Sequence, residues 1–365
     1  AHAGRRPSGG PLPAVGGQRS RLEPALILSS RSGEAGLEVQ VAGPAQPDAE
    51  PQTASGDLQR IEFRAMGCQI VAMIETRGSR AAGRLAQVPG WFETWEAAFS
   101  RFRSASELNR INEAKGLPVA VSPAMWDVLG AARQASRLSG GIVTPAVLPA
   151  LEAAGYDRSF ELVAQGSAGR PATPAADWER VELDSKHRSV RLPRGMRLDL
   201  GGVAKGWAAE RAVHRLAALG PALVQAGGDI AISGPRGEGT AWHIGIADPA
   251  DPERDIASMH VLRGGVATSG IDHRRWLAGG AWRHHLIDPR SGAPAVTDVL
   301  SATVWAESLR RAETAAKVIT ILGSGDGMRW AVEQGGLEGL VVRTDGTQRP
   351  LHAVGAGLRR GKAWR

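Results

Sequence analysis

Along the 365-residue chain the hydrophobic period switches repeatedly between two and about 3.6. Ile61-Glu62-Phe63-Arg64-Ala65-Met66 alternates like a strand, and Cys68–Thr76 reads as its hairpin partner. A helix is expected over Trp91–Phe102. A short one follows from Ser106, with Leu108 and Ile111 on its inner face. Pro123–Leu138 repeats apolar residues at helical spacing, with Ser122 as N-cap and proline in the first helical position. Pro145–Ala154 reads as a shorter helix, and residues 157–178, with Gly166, Gly169, Pro171 and Pro174, as a loop or insertion. Short strands are expected at Val181–Leu183, Val190–Leu192 and Arg197–Leu198, then a helix over Val203–Leu219 stopped by Gly220-Pro221.

Further strands are expected at Ala222–Gln225, Ile230–Ser233, Trp242–Ala247, Ser258–Leu262, His284–Ile287, Leu300–Ala306 and Gly339–Arg343. The last helices are Ala312–Leu322, ended by Gly323, and Gly327–Gln334. Many antiparallel-looking strands with interspersed helices indicate an α+β fold, not a doubly wound sheet. Residues 1–57 are rich in Gly, Pro, Ala and Ser without apolar periodicity and read as a disordered lead. One folded domain is expected over 58–350, and 351–365 read as a loose basic tail.

Composition narrows the function classes. Hydrophobic residues make up 42% and charged ones 22%, as in a soluble globular protein. No stretch approaches the roughly 18 apolar residues of a transmembrane helix. The single cysteine, Cys68, excludes an internal disulfide. The compartment stays open between the cytoplasm and export to a bacterial cell envelope. The net charge is +7. Basic clusters at Arg274-Arg275 and Arg359-Arg360-Gly361-Lys362 lack an aromatic-interleaved platform, so no nucleic-acid partner is expected.

The chemistry concentrates in Leu198-Asp199-Leu200-Gly201-Gly202-Val203-Ala204-Lys205-Gly206 and, some twenty residues on, Ala226-Gly227-Gly228-Asp229. Bare backbone N–H groups and a lysine at a helix start suit a phosphorylated ligand. The spacing fits neither a Walker loop nor GxGxxG. Ala267-Thr268-Ser269-Gly270 and His285-Leu286-Ile287-Asp288-Pro289-Arg290-Ser291-Gly292 follow in order. Upstream stand Met66-Gly67-Cys68 and Phe99-Ser100-Arg101-Phe102.

Together these blocks resemble the FAD:protein FMN transferases, the ApbE-type flavin transferase family, over about residues 60–345. The resemblance implies largely antiparallel sheets with flanking helices, in two lobes around a flavin cleft. It implies cleavage of FAD at the pyrophosphate and transfer of FMN, through a phosphoester, to Ser or Thr of an acceptor flavoprotein, with Mg²⁺. FAD would be a substrate held by Met66, Phe102, Gly141, Ile142, Val143, Asp199, Lys205 and Ile287. His285 and Asp229 would be catalytic, His285 because an imidazole titrates near neutrality. Since adjacent strand residues face opposite ways, only one of His284 and His285 should enter the cleft. Asp199 as a helix N-cap, and Phe102 as an ordinary core aromatic, are the plainer alternatives.

The chain departs from that pattern at the implied metal site. Gly202 would supply a backbone oxygen and Glu313 a carboxylate, but the positions for further oxygen ligands hold Ala316 and Lys317. Lys317 either sets its ammonium where the metal charge would lie or pairs with Glu313 at i,i+4, and the two are compatible. Weak or absent Mg²⁺ binding is expected. Val143 replaces a polar residue, and Cys68 reads as packing. Other outcomes consistent with these departures are an FAD-binding protein without transferase activity and an FAD pyrophosphohydrolase giving FMN and AMP.

Overall fold

A computed structural model describes residues 39–41, 57–76, 80–163 and 170–352. The expected tail beyond His352 and, apart from 39–41 and Asp57, the expected lead lie outside the described residues. An eight-stranded sheet organises the molecule: β1 Asp57–Ala65, β2 Cys68–Thr76, β3 Ala222–Ala226, β4 Asp229–Ile232, β5 Gly264–Gly270, β6 Val299–Ala306, β7 Glu338–Arg343 and β8 Gln348–Leu351. Each of these eight strands pairs antiparallel with the next of the eight, so spatial order in the sheet follows sequence order.

Both faces of this sheet are covered, which explains why β2 reads Ile70-Val71-Ala72-Met73-Ile74 without polar alternation. Ile70, Ala72, Ile74, Val224 and Val341 face helices α1 Val88–Phe99, α2 Pro123–Leu138, α3 Ala204–Ala217 and α4 Leu309–Gln334, among Phe92, Trp207 and Ile319. Val71, Met73, Leu223, Ile230, Leu340 and Val342 face the opposite way, onto Trp242, Ile244 and Met259 of the hairpin Trp242–Asp248/Asp251–Val261. The strand Val39–Val41 pairs with the edge of that hairpin. The alternation is the period-two geometry of a strand with two cores. Edge strand β1 instead alternates exposed and partly buried positions.

The α+β expectation holds, and most elements fall within a few residues of their expected bounds. Ser122 caps α2 as expected, accepting from the Met125 N–H at 3.1 Å. Several expectations need correction. Arg197–Leu198 is not a strand, because the Asn112 side chain takes both backbone groups of Leu198, at 2.7 and 3.0 Å. His284–Ile287 is not a continuous strand. Arg275–Ala278 and Ala281–His284 form a hairpin, and the chain re-pairs only at Ile287–Asp288 with Ala293–Pro294. The Ala267–Gly270 block, not read as a strand, lies in β5, where its small residues hide the apolar pattern. The expected break at Gly323 is present within α4, with φ +85°. Asp298 restarts that helix, accepting from the Ser324 N–H at 2.8 Å and from its hydroxyl at 2.5 Å.

Candidate functional site

A cavity of about 880 Å³ opens beside the central sheet. The Asp199–Lys205 loop, the Gly227-Gly228-Asp229 turn and His285 all line it, so segments far apart in sequence meet at one site. Met66, Phe102, Ile142, Val143, Ile287 and Gly202 line it as well. Gly141 and Glu313, expected at the site, are not among its lining residues, and Ala316 is fully buried. Gly141 instead ends a left-handed turn, φ +86°, which delivers Ile142 and Val143 to the wall.

The Gly227-Gly228 pair forms the two-residue hairpin loop between β3 and β4, with φ +60° and +90°. Positive φ at both positions is what such a tight antiparallel turn demands. A Cβ on Gly227 would also lie 2.8 Å from Cys68 Cβ. This turn sets Asp229 at the very start of β4, buried, with the Lys205 ammonium 3.8 Å away. Burial, and then the negative charge of Glu313, push the Asp229 pKa up to about 6 against the opposing pull of Lys205, Lys317 and Arg274.

Asp199 occupies different surroundings. Its Oδ1 accepts from the Gly201 N–H at 2.8 Å, closing a local turn. The residue at the N-cap of α3 is Val203, so the helix-cap alternative does not hold. Asp199 Oδ2 lies 2.7 Å from Arg101 Nε, and both side chains are largely buried. That nitrogen makes no directed hydrogen bond, so the contact is an ion pair. The Arg101 guanidinium also donates to the Tyr156 carbonyl at 2.7 Å. It lies 4.2 Å from the Phe102 ring centre and 4.7 Å from that of Tyr156. Phe102 is 42% exposed, which sets aside its reading as an ordinary core aromatic.

His284 and His285 part company as their alternation requires. His284 Nε2 lies 3.0 Å from the Ala295 carbonyl, and only His285 lines the cavity. The buried Nδ1 of His285 has no partner among the described residues. Burial, then the charges of Arg274 and Lys205, hold its pKa well below the ordinary histidine value. It is therefore a neutral imidazole at neutral pH.

Sequence reading missed Arg101, Tyr156 and Arg274. Arg274 had registered only as half of a surface basic pair. Its left-handed backbone, φ +46°, turns it into the cavity, where it donates to the Gly67 carbonyl at 3.2 Å. Gly67 belongs to the Met66-Gly67 turn, whose Met66 N–H is fixed by Glu96 at 2.7 Å.

The order of these segments matches a known pattern: a sequence profile of the ApbE family covers residues 66–341. The chain belongs to the ApbE family. It is 29% identical over 276 residues to the FAD:protein FMN transferase of Treponema pallidum (strain Nichols), covering 70% of this chain and 76% of that protein. Identity to the FAD:protein FMN transferase of Klebsiella pneumoniae (strain 342) is 30% over 244 residues, 66% of this chain and 74% of that one. The crystal structure of the ApbE protein from Thermotoga maritima shares the fold, with a TM-score of 0.71 at 24% identity over 80% of this chain and 97% of that one.

The metal site that this ApbE resemblance implied does not fit the residues present. Glu313 is 3% exposed and packs its carboxylate against Gly206, where a Cβ would collide with it. Lys317 Nζ already donates to Glu313 Oε1 at 2.9 Å. Ala316 offers no side-chain oxygen. Among the described residues no group of three His, Cys, Asp or Glu side chains is arranged to hold a metal ion.

Proposed function

We propose that this protein transfers FMN from FAD to a Ser or Thr hydroxyl of an acceptor protein. Family membership and the relatives that carry this activity support the reading. The observation that carries it is the single cavity in which the Asp199–Lys205 loop, the Asp229 turn and His285 converge. Aromatic surface at Phe102 and Tyr156 suits flat heterocycles, and the cations at Lys205 and Arg274 suit the linking diphosphate.

In the proposed reaction the acceptor hydroxyl oxygen bonds to the FMN phosphorus. The bond from that phosphorus to the bridging oxygen breaks, and AMP leaves with that oxygen and the electron pair. The hydroxyl proton passes to neutral His285, with the buried Asp229 carboxyl as the second candidate acceptor. Lysine and arginine charges stabilise the phosphoryl oxygens as the bond order changes.

The reading is tested by incubating the protein with FAD and a Ser/Thr acceptor peptide, then measuring AMP and peptide mass. AMP with a flavinylated peptide supports transfer. AMP alone points to hydrolysis, and intact bound FAD to a binder; either result rejects the proposal.

A further inference from the structure

Two ammonium groups flank the glycine-pair loop where it meets the cavity. Lys205 Nζ donates to the Gly201 carbonyl at 3.1 Å, and a Cβ placed on Gly202 would touch Lys317 Cε at 3.5 Å. Lys205 comes from α3, Lys317 from α4, and Arg274 from the segment after β5, and all three line the cavity. Glu313 anchors Lys317 through one N–H, which leaves the two remaining donors of that ammonium for a ligand. Arg274 is tied through one guanidinium nitrogen to the Gly67 carbonyl. Each cation is thus held in place before any ligand arrives, and preorganised charge is the kind that stabilises phosphoryl transfer most.

We infer that this chain grips the diphosphate of FAD with a built-in cradle of Lys205, Arg274 and Lys317, and that FAD binding needs no divalent cation. The inference rests on the proposed function and deepens it by assigning the charge compensation to side chains. A divalent ion entering here would have to displace the Lys317 ammonium from Glu313 and sit beside the Lys205 ammonium, a like-charge arrangement that costs binding energy. The two carboxylates nearby, Glu313 and Asp229, already face the Lys317 and Lys205 ammonium groups, and Ala316 and Lys317 add no oxygen to the set that Mg²⁺ requires. Lys317 is a binding residue in this account, with no part in the proton transfer.

Flavin fluorescence titration of FAD onto the intact protein, in EDTA and in excess Mg²⁺, tests the cradle. The wild-type Kd is expected to agree within about twofold between the two conditions and to rise steeply with salt. Lys317→Thr is expected to weaken FAD binding at least about tenfold in EDTA, with recovery when Mg²⁺ is added, because Glu313 is released and a hydroxyl oxygen replaces the ammonium. Lys317→Arg, which retains the charge, should bind FAD without Mg²⁺, and thermal melts of both variants show that they are folded. A wild-type Kd that rises about tenfold or more in EDTA, or Lys317→Thr binding FAD like wild type in EDTA, overturns the cradle while leaving flavinyl transfer standing. Absence of FAD binding both in EDTA and in excess Mg²⁺ overturns both.

Discussion

Asp199 and Asp229 line one cavity and are treated in opposite ways by their surroundings. Asp199 has a guanidinium at 2.7 Å and a backbone N–H at 2.8 Å, so its charge is fully compensated and its position rigid. Asp229 has an ammonium at 3.8 Å and a second carboxylate within its field, and its pKa rises to about 6. The Asp199 wall holds Arg101 in place, and Arg101 in turn lies against the Phe102 and Tyr156 rings. The Asp229 wall, with His285, holds the two groups to which the proposed reaction assigns proton transfer. Two carboxylates in one cavity acquire different duties from their neighbours alone.

The sharpest way to break this comparison is at His285. His285→Ala should lower flavinyl transfer at least about a hundredfold, followed as AMP release and peptide mass, while the FAD Kd changes far less. A parallel collapse of binding would mean that the polar wall does not separate chemistry from affinity. Next in size is the contrast in stability between the carboxylates. Asp199→Ala strands the buried Arg101 charge and should cost about 3 kcal/mol in denaturant unfolding, whereas Asp229→Asn should cost less than about 1 kcal/mol. Equal losses would erase the distinction.

Phe102→Ala should weaken FAD binding by about 1 kcal/mol, a loss that persists at high salt because it is not ionic. A salt-dependent loss would assign Phe102 to the polar wall. Asp298→Ala, at the helix restart away from both walls, should cost about 1 kcal/mol of stability and leave FAD affinity unchanged. The smallest signal is the pH slope from His285. Its folded pKa lies below the unfolded 6.5, so the unfolded chain binds more protons in that window and stability falls as pH drops below 6.5. In His285→Gln that contribution to the acid-side slope should vanish, as read from melting temperatures across pH 5 to 7.5.

Much of the site was legible because its chemistry is written in short segments. Asp199, Gly201-Gly202 and Lys205 are neighbours in sequence, and the turn that binds them is local. The same holds for the Gly227-Gly228 hairpin, whose positive φ values only glycine accommodates cheaply. Arg101 and Arg274 were not legible as site residues, because nothing local distinguishes a cavity arginine from a solvated one. Their roles depend on Asp199 and Gly67, partners 98 and 207 positions away in the chain. The expected strand through His285 failed for a related reason: His284 pairs back to Arg275 and Ile287 pairs forward to Pro294, so the chain changes partner between them.

Local sequence determined the elements, their caps and the glycine turns, since periodicity, φ preference and capping act over a few residues. It also determined the loss of oxygen at positions 316 and 317, a matter of composition that no folding can restore. Tertiary structure alone decided that β2 carries two cores, that Glu313 turns toward Lys317 and Gly206, and that three cations from separate elements line one cavity. Burial and field strength depend on every neighbour in three dimensions, and those neighbours are set by packing.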